Sequence, residues 1–409
     1  MSQRTGSMLT PIDAALDMLL AAMQPVAESE LVALSASSGR VLAQAIQASV
    51  AVPPHNNSAM DGFAVRASDL SKVPVTLRVS QRIAAGQVGT PLLAGEAARI
   101  FTGAPLPGGA DAVVMQENCQ FASDAVTILQ AVGSGENVRS IGEDIAIGAG
   151  LFLQGHRLRA QDAGVLASVG LTAINVRRKL RVALLTTGDE LVPPGTALQP
   201  GQIYNSNFYT LSVLLQALAC EVIDLGIVKD ELQATRSVLL EAARRADCII
   251  STGGVSVGDE DHVKAALTEL GTLDLWKLAI KPGKPLACGS LQGTHFFGLP
   301  GNPVSVFVTF CLLVRPCLLR LSGCNQIAPL RLRMPAGFDQ PESGDRQEYL
   351  RVVIQADASQ APVLMPIRNQ SSGVGSSLSA AAGLAIIPPY TSVAIGDRLE
   401  FIPFSELIN

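Results

Sequence analysis

At 409 residues and 48% hydrophobic, the chain is too long for one compact core and too apolar for disorder, so two to four packed domains are expected. Charged residues make up 16% and the formal net charge is −5, which excludes the broad basic face of a general nucleic-acid binder. An anionic ligand therefore has to be met by a local cluster of lysine or arginine.

A mean hydropathy of +0.33 raises the question of a membrane. The longest uncharged stretch, residues 285–314, is divided by Pro300-Gly301-Asn302-Pro303. The remainder, residues 304–314, falls short of the roughly 20 residues that a bilayer span needs. At the N-terminus, Thr10-Pro11-Ile12-Asp13 reads as a capped helix start, with Pro at N1 and an acid at N3, and not as a signal peptide. Seven cysteines (119, 220, 248, 288, 311, 317 and 324) contain no CxxC, and several lie in apolar runs. That usage fits buried free thiols in a reducing compartment, so a soluble, cytoplasmic protein is expected. Histidines 55, 156, 262 and 295 are far apart in sequence, which argues against a zinc site.

In chain order, residues 10–45 read as helical, with Ile12, Leu16, Leu19, Leu20 and Met23 on one face. From about residue 50 to 130, short apolar runs such as 75–79 and 112–115 alternate with Pro and Gly, as in a β-rich domain inserted into a helical one. Helix-like text returns around residues 160–168. Residues 179–324 then alternate: strands at 180–185, 222–225 and 247–251, helices at 210–218, 231–245 and 259–270. Such alternation predicts a mostly parallel sheet covered by helices. Beyond residue 331, short strands and Pro/Gly turns predict a β-barrel-like C-terminal domain. The expected division is 8–48 with 144–178, 49–143, 179–325 and 326–409.

Ligands bind at the carboxyl ends of strands in open α/β sheets. Three loops fall there: Thr186-Thr187-Gly188-Asp189-Glu190, residues 251–261 (STGGVSVGDED) and residues 299–305 (LPGNPVS). The first carries two carboxylates. The second offers glycines for close backbone approach and a following helix whose positive end faces an anion. In the third, Asn302 is a suitable N-cap, Pro303 suits N1 and Ser305 lies in the first turn. Any one of these loops is as easily a plain connector; three in one α/β unit favour a phosphate-bearing ligand. Residues 275–284 (LWKLAIKPGK) alternate like a strand, with Trp276, Leu278 and Ile280 facing one side. Lys277 and Lys281 would then share the other face, roughly 13 Å apart at about 3.3 Å per residue, with Lys284 beyond the turn. A solvated polar face is the ordinary reading of three lysines, but these end at a loop just before the Pro-Gly-Asn-Pro helix start. Asp261 at a helix start beside lysines also suits Mg²⁺ and phosphate.

At these residues the chain resembles the molybdopterin molybdenumtransferases, the family of bacterial MoeA and the E domain of gephyrin. The resemblance spans nearly the whole chain and rests on eight ordered motifs: residues 57–66, 102–117 (TGAPLPGGADAVVMQE), 137–144 (NVRSIGED), 187–191, 205–207, 252–261, 277–285 and 298–305. It implies a homodimer of four-domain subunits, with each cleft formed by the α/β domain of one subunit and the β-rich domain of the other. The implied reaction converts adenylylated molybdopterin and molybdate into molybdenum cofactor and AMP with Mg²⁺ or another divalent cation. Contact with the molybdopterin adenylyltransferase would accompany it. By motif match, Lys277, Lys281, Lys284, Pro300, Pro303 and Ser305 would serve the molybdate and phosphate region, with Asn207, Gly253, Gly254 and Ser256 also binding substrate. Glu190, Asp230 and Asp261 would handle metal and nucleotide, with Glu190 and Asp261 as metal ligands; Asp61, Thr102 and Arg139 would form the opposing wall. Bacterial members usually carry Asp before the NSAMDG motif, where this chain has Asn56. Rival readings, a catalytically weak cofactor-binding or scaffolding paralogue and a molybdopterin adenylyltransferase, account for less: the latter leaves the first 178 residues unexplained.

Overall fold

The computed structural model describes residues 9–254, 262–356 and 359–408. The N-terminal helix is shorter than its apolar periodicity suggests. It runs Ile12–Ala21, burying Ile12, Ala15 and Leu19, and Ser29–Ala33 is a strand paired antiparallel with Ala173–Arg177. The helical expectation for residues 10–45 therefore fails beyond Ala21. Pro25 lacks an amide hydrogen, and the stretch that follows finds a partner strand that local periodicity could not reveal. Nor does Pro11 sit at N1: it is the N-cap, and Thr10 instead exchanges backbone hydrogen bonds with Lys277 and Ala279, both 2.8 Å.

Residues 62–128 form a separate six-stranded sheet with apolar clusters on both faces, Phe63, Val65 and Val114 on one and Ala64, Ile83 and Ile100 on the other. The helix Ala160–Ser168 lies as the sequence predicts, its first turn held by Asp162, whose Oδ2 accepts from the Arg159 amide at 2.9 Å.

The α/β unit carries the expected alternation. Its sheet runs Glu221–Val228, Arg181–Thr187, Cys248–Thr252, Thr294–Leu299, Pro285–Leu291, Thr272–Lys277. The first four strands are parallel; Pro285–Leu291 is antiparallel to both its neighbours, so Thr272–Lys277 again points with the first four. Val182 and Leu184 face one cluster, Ala183 and Leu185 another. A strand covered on both faces reads as a continuous apolar run, which is why 180–185 shows no alternation.

The helix Pro303–Leu321 is long and apolar enough to cross a membrane, yet 94% of its window is buried inside the protein. It is a core helix that continues beyond Val314, where the uncharged stretch ends. Its middle, Phe310–Val314, widens to π-helix just before Pro316, whose ring cannot coexist with a tight turn on the Leu312 carbonyl. After residue 331 the strands Leu332–Pro335, Arg398–Pro403, Gly383–Ile387, Gln347–Ala356 and Pro362–Pro366 pair in that order. The Gly337 amide then donates to the Leu364 carbonyl at 2.9 Å and closes the ring, as the barrel expectation requires.

All seven cysteines are free and six are buried. Burial pushes the Cys311 and Cys317 thiols up to about 12, so they act as small apolar side chains.

The chain enters the α/β unit through a charged cluster in which Asp247 pairs with both Arg178 and Arg181. Arg178 donates two hydrogen bonds to Asp247, at 2.7 and 2.8 Å, and Asp247 also accepts from the Arg181 amide at 2.8 Å. Burial alone would raise the Asp247 carboxyl; the Arg178 guanidinium and Arg181 amide outweigh it and hold the group below its ordinary value. Asp247→Asn should therefore lower unfolding free energy by about 2 kcal/mol at neutral pH. A depressed carboxyl contributes fully above its unfolded value near 4, and the contribution is lost as pH falls through the folded one. Urea melts at pH 7 and pH 3 should thus show the difference shrinking on acidification; a constant difference would refute the assignment.

Candidate functional site

Five of the six strand ends of the α/β sheet point one way, and the loops that leave them form a rim. At one edge, Arg181–Thr187 is followed by Gly188, Asp189 and Glu190, and Glu221–Val228 by Lys229 and Asp230. The Asp230 amide donates to Asp189 Oδ1 at 3.4 Å, which brings the acidic loops together. Glu190 folds back over Gly188, where a Cβ would meet its carboxylate at 2.6 Å.

In the centre, Cys248–Thr252 ends in Gly253 and Gly254, both left-handed with φ of 84° and 64°. A Cβ on Gly253 would lie 2.4 Å from the Thr187 carbonyl oxygen, and one on Gly254 2.7 Å from Thr187 Oγ1. Only glycine lets this turn press against the neighbouring strand end. Asn207 ties the centre together: its Nδ2 donates to Thr252 Oγ1 at 3.2 Å and to the Gly301 carbonyl at 2.7 Å. Asn205 fixes the same helix start, donating to Thr186 Oγ1 at 2.8 Å and accepting from the Phe208 amide. Sequence reading found Asn207 by motif and missed the capping role of Asn205. Ser256 and Asp261 lie outside the described residues.

Beyond Leu299, buried Pro300 leads to Pro303 at the first helical position and to buried Ser305. The Asn302 side chain does not cap this helix. Its first available amide, Val304, donates instead to the Ser372 carbonyl at 3.0 Å, so a loop of the C-terminal barrel does that work.

The lysines close the other edge, but not as one strand face. Thr272–Lys277 belongs to the α/β sheet, whereas Ile280–Lys281 pairs in parallel with Gln347 and Glu348 of the barrel. Leu278 and Ile280 are both buried, so the predicted alternation holds; it is satisfied by two different sheets. Lys277, Lys281 and Lys284 are all exposed. Lys281 Nζ lies 3.0 Å from Glu348 Oε1, a partner 67 positions away that sequence reasoning had no means to find. Among the described residues, Lys277 and Lys284 enter no ion pair. From the Arg181–Thr187 end to the Thr272–Lys277 end are four strand steps of about 4.8 Å, or roughly 19 Å. The rim thus grades from carboxylates through glycines to lysines.

The remaining predicted residues lie in the separate β-rich sheet. Asp61 Oδ1 accepts from the Thr102 amide at 2.8 Å and the Thr102 hydroxyl at 2.9 Å. Those two bonds, the amide first, hold the exposed Asp61 carboxyl below its ordinary range. Arg139 is exposed and pairs across the strands with buried Asn57. Asn56 Oδ1 accepts from the Ile141 amide at 2.8 Å. Among the described residues, hydrogen bonds and ion pairs of residues 56–139 stay within residues 56–141. Among the described residues, no such bond joins this wall to the rim.

Residues 10–170 match the family described as "MoeA N-terminal region (domain I and II)", residues 183–320 a "Probable molybdopterin binding domain", and residues 333–404 the "MoeA C-terminal region (domain IV)". A molybdopterin molybdenumtransferase of Haemophilus influenzae is 42% identical over 323 residues, covering 78% of this chain and 79% of its own. One from Nostoc sp. is 38% identical over 333 residues, covering 79% and 76%. The crystal structure of a molybdopterin biosynthesis moeA protein from Pyrococcus horikoshii OT3 superposes with a TM-score of 0.83 at 28% identity, covering 97% of this chain and 100% of that one.

Thr102→Val deletes one of the two donors on Asp61 and leaves the amide. The Asp61 carboxyl should then titrate at higher pH than in the unaltered protein while staying below the ordinary aspartate range, as read by carbon NMR of the side chain. An unmoved titration would show that the hydroxyl plays no part.

Proposed function

The chain belongs to the molybdopterin molybdenumtransferase family, and we propose that it inserts molybdenum from molybdate into adenylylated molybdopterin, releasing AMP and forming molybdenum cofactor. The observation that carries this reading is the graded rim, with lysines at one edge and carboxylates at the other end of the same sheet. Molybdate and the pterin dithiolate are both anionic, so bringing them together needs fixed positive charge. Exposed Lys277, Lys281 and Lys284 supply it beside the Pro300-to-Ser305 turn. Gly253, Gly254 and Asn207 present backbone and shape at the centre, where the linking phosphate would lie.

Glu190, Asp230 and Asp189 offer oxygen donors at the acidic edge. Among the described residues no cluster forms a closed metal cage, and Mg²⁺ does not require one: it is usually held by one or two carboxylates together with substrate phosphates. The residues therefore fit a divalent cation of that kind, which when bound would neutralise phosphate charge as AMP departs. Asp261 belongs to this group by motif alone.

The division into units at residues 8–48 with 144–178, 49–143, 179–325 and 326–409 is supported by their sheets, which stay within one unit except where Ile280–Lys281 pairs with the barrel strand Gln347–Ala356. So is the view that Asp61, Thr102 and Arg139 serve the cleft of a second subunit, since among the described residues their bonds stay within their own unit. A homodimer follows, in a reducing, cytoplasmic setting that suits seven free thiols. Light scattering at micromolar concentration should give twice the chain mass of 42.6 kDa; an active monomer would sink the shared-cleft reading.

Incubating the pure protein with adenylylated molybdopterin, molybdate and Mg²⁺ should yield AMP and cofactor together. Absence of both would return the chain to a binding or scaffolding role. Asn56 uses its carbonyl oxygen as an acceptor, and a carboxylate can accept the same Ile141 hydrogen bond. Asn56→Asp should consequently change turnover by less than about tenfold, or about 1.4 kcal/mol of barrier. An inactive unaltered protein rescued by that substitution would overturn the expectation.

A further inference from the structure

The lysine edge contains an acid that none of the motifs includes. Glu348 is largely buried; its Oε1 receives Lys281 Nζ at 3.0 Å and its Oε2 receives Gln340 Nε2 at 3.3 Å. Lys281 is itself more than half exposed, so this is a solvent-facing ammonium anchored from behind by a mostly buried carboxylate. The backbone reinforces the placement. Lys281 is registered against Glu348 and Ile280 against Gln347 in parallel pairing, the Gln347 amide donates to the Ala279 carbonyl at 2.9 Å, and Arg346 Nη1 donates to the Ile280 carbonyl at 3.3 Å.

We propose that Glu348 is a positioning residue for substrate oxyanion: it holds Lys281 by one of the three ammonium hydrogens and leaves the other two for the ligand. The inference rests on the molybdate-handling reading of the lysine edge. A carboxylate behind the ammonium has two opposed effects on an incoming dianion. It orients the lysine, which favours productive geometry, and it subtracts part of the positive field, which weakens ground-state binding. Such an arrangement restrains the site from holding molybdate, or a mimic such as sulfate, too tightly to react. A carboxylate that served only to dock the barrel on the α/β unit would affect stability and leave oxyanion affinity alone.

Glu348→Gln keeps the shape and an acceptor oxygen but removes the charge. Molybdate binding, measured by calorimetric titration of the folded protein without pterin, should tighten about three- to tenfold, while turnover at saturating molybdate should fall. Glu348→Asp retains the charge on a shorter arm: affinity should stay within about twofold and turnover should fall, so this variant tests the positioning even if the glutamine variant does not fold. Lys281→Ala should weaken binding; adding Glu348→Gln to it should recover part of that loss, because the carboxylate repels the dianion with or without the lysine, and should lower turnover no further, because the positioning acts only through Lys281. Unchanged affinity in Glu348→Gln alongside weakened Lys281→Ala would overturn the role of Glu348 alone. Unweakened binding in Lys281→Ala would overturn both this inference and the oxyanion reading of the lysine edge.

Discussion

Everything at the basic edge depends on how residues 277–284 are divided between two sheets. Leu278 and Ile280 must both be buried, and a single straight strand would bury them against one layer. Here the chain leaves the α/β sheet at Lys277, is clasped by Thr10 through two 2.8 Å backbone bonds, and enters the barrel at Ile280. Gly283 then passes so close to the Pro303–Leu321 helix that a Cβ would stand 2.5 Å from Thr309 Oγ1. Three parts of the chain, some 340 residues apart, thus pin one short loop by obligatory backbone pairing and close packing. Long, flexible lysine side chains need such a base if they are to act in a defined place.

The same division makes the C-terminal barrel part of the site. It provides the strand that receives Ile280 and Lys281, and the Ser372 carbonyl that occupies the Val304 amide. The latter has an electrostatic consequence. A helix N-terminus draws anions through its unsatisfied amides, and here Pro303 has none to give while Val304 already donates to protein. What remains for a ligand at that helix is reduced, and the burden of positive charge moves to the side-chain ammonium groups.

The α/β unit was largely legible in the sequence because its strands are apolar on both faces and its loops carry glycine, acid and proline in tight order. The rest was hidden wherever the deciding partner is remote. Residues 29–33 become a strand only because residues 173–177 lie beside them. Asn302 reads as a helix cap, yet Ser372 does the capping. Lys277 and Lys281 look like neighbours on one strand because period-two burial cannot say how many sheets provide it. Glu348 carried no signal at all, since a lone glutamate in a barrel strand is ordinarily a solvated side chain. The site motifs of the β-rich unit were legible as motifs, but nothing local in them indicates which surface they face.

A chain of net charge −5 that handles a dianion faces a field problem which the rim resolves by distance. Carboxylates and lysines sit on one sheet end roughly 19 Å apart, about twice the screening length near physiological salt. Over that span the acidic edge would cost little to an oxyanion placed among the lysines, and the lysines would cost little to a cation placed among Asp189, Glu190 and Asp230. A substrate with an anionic dithiolate at one end and a nucleotide phosphate at the other could lie along such a gradient, each end in a field of suitable sign. The number of strands between the two edges sets the separation and the order of strands sets the direction, so the polarity of the rim is a property of the sheet before it is a property of any one residue.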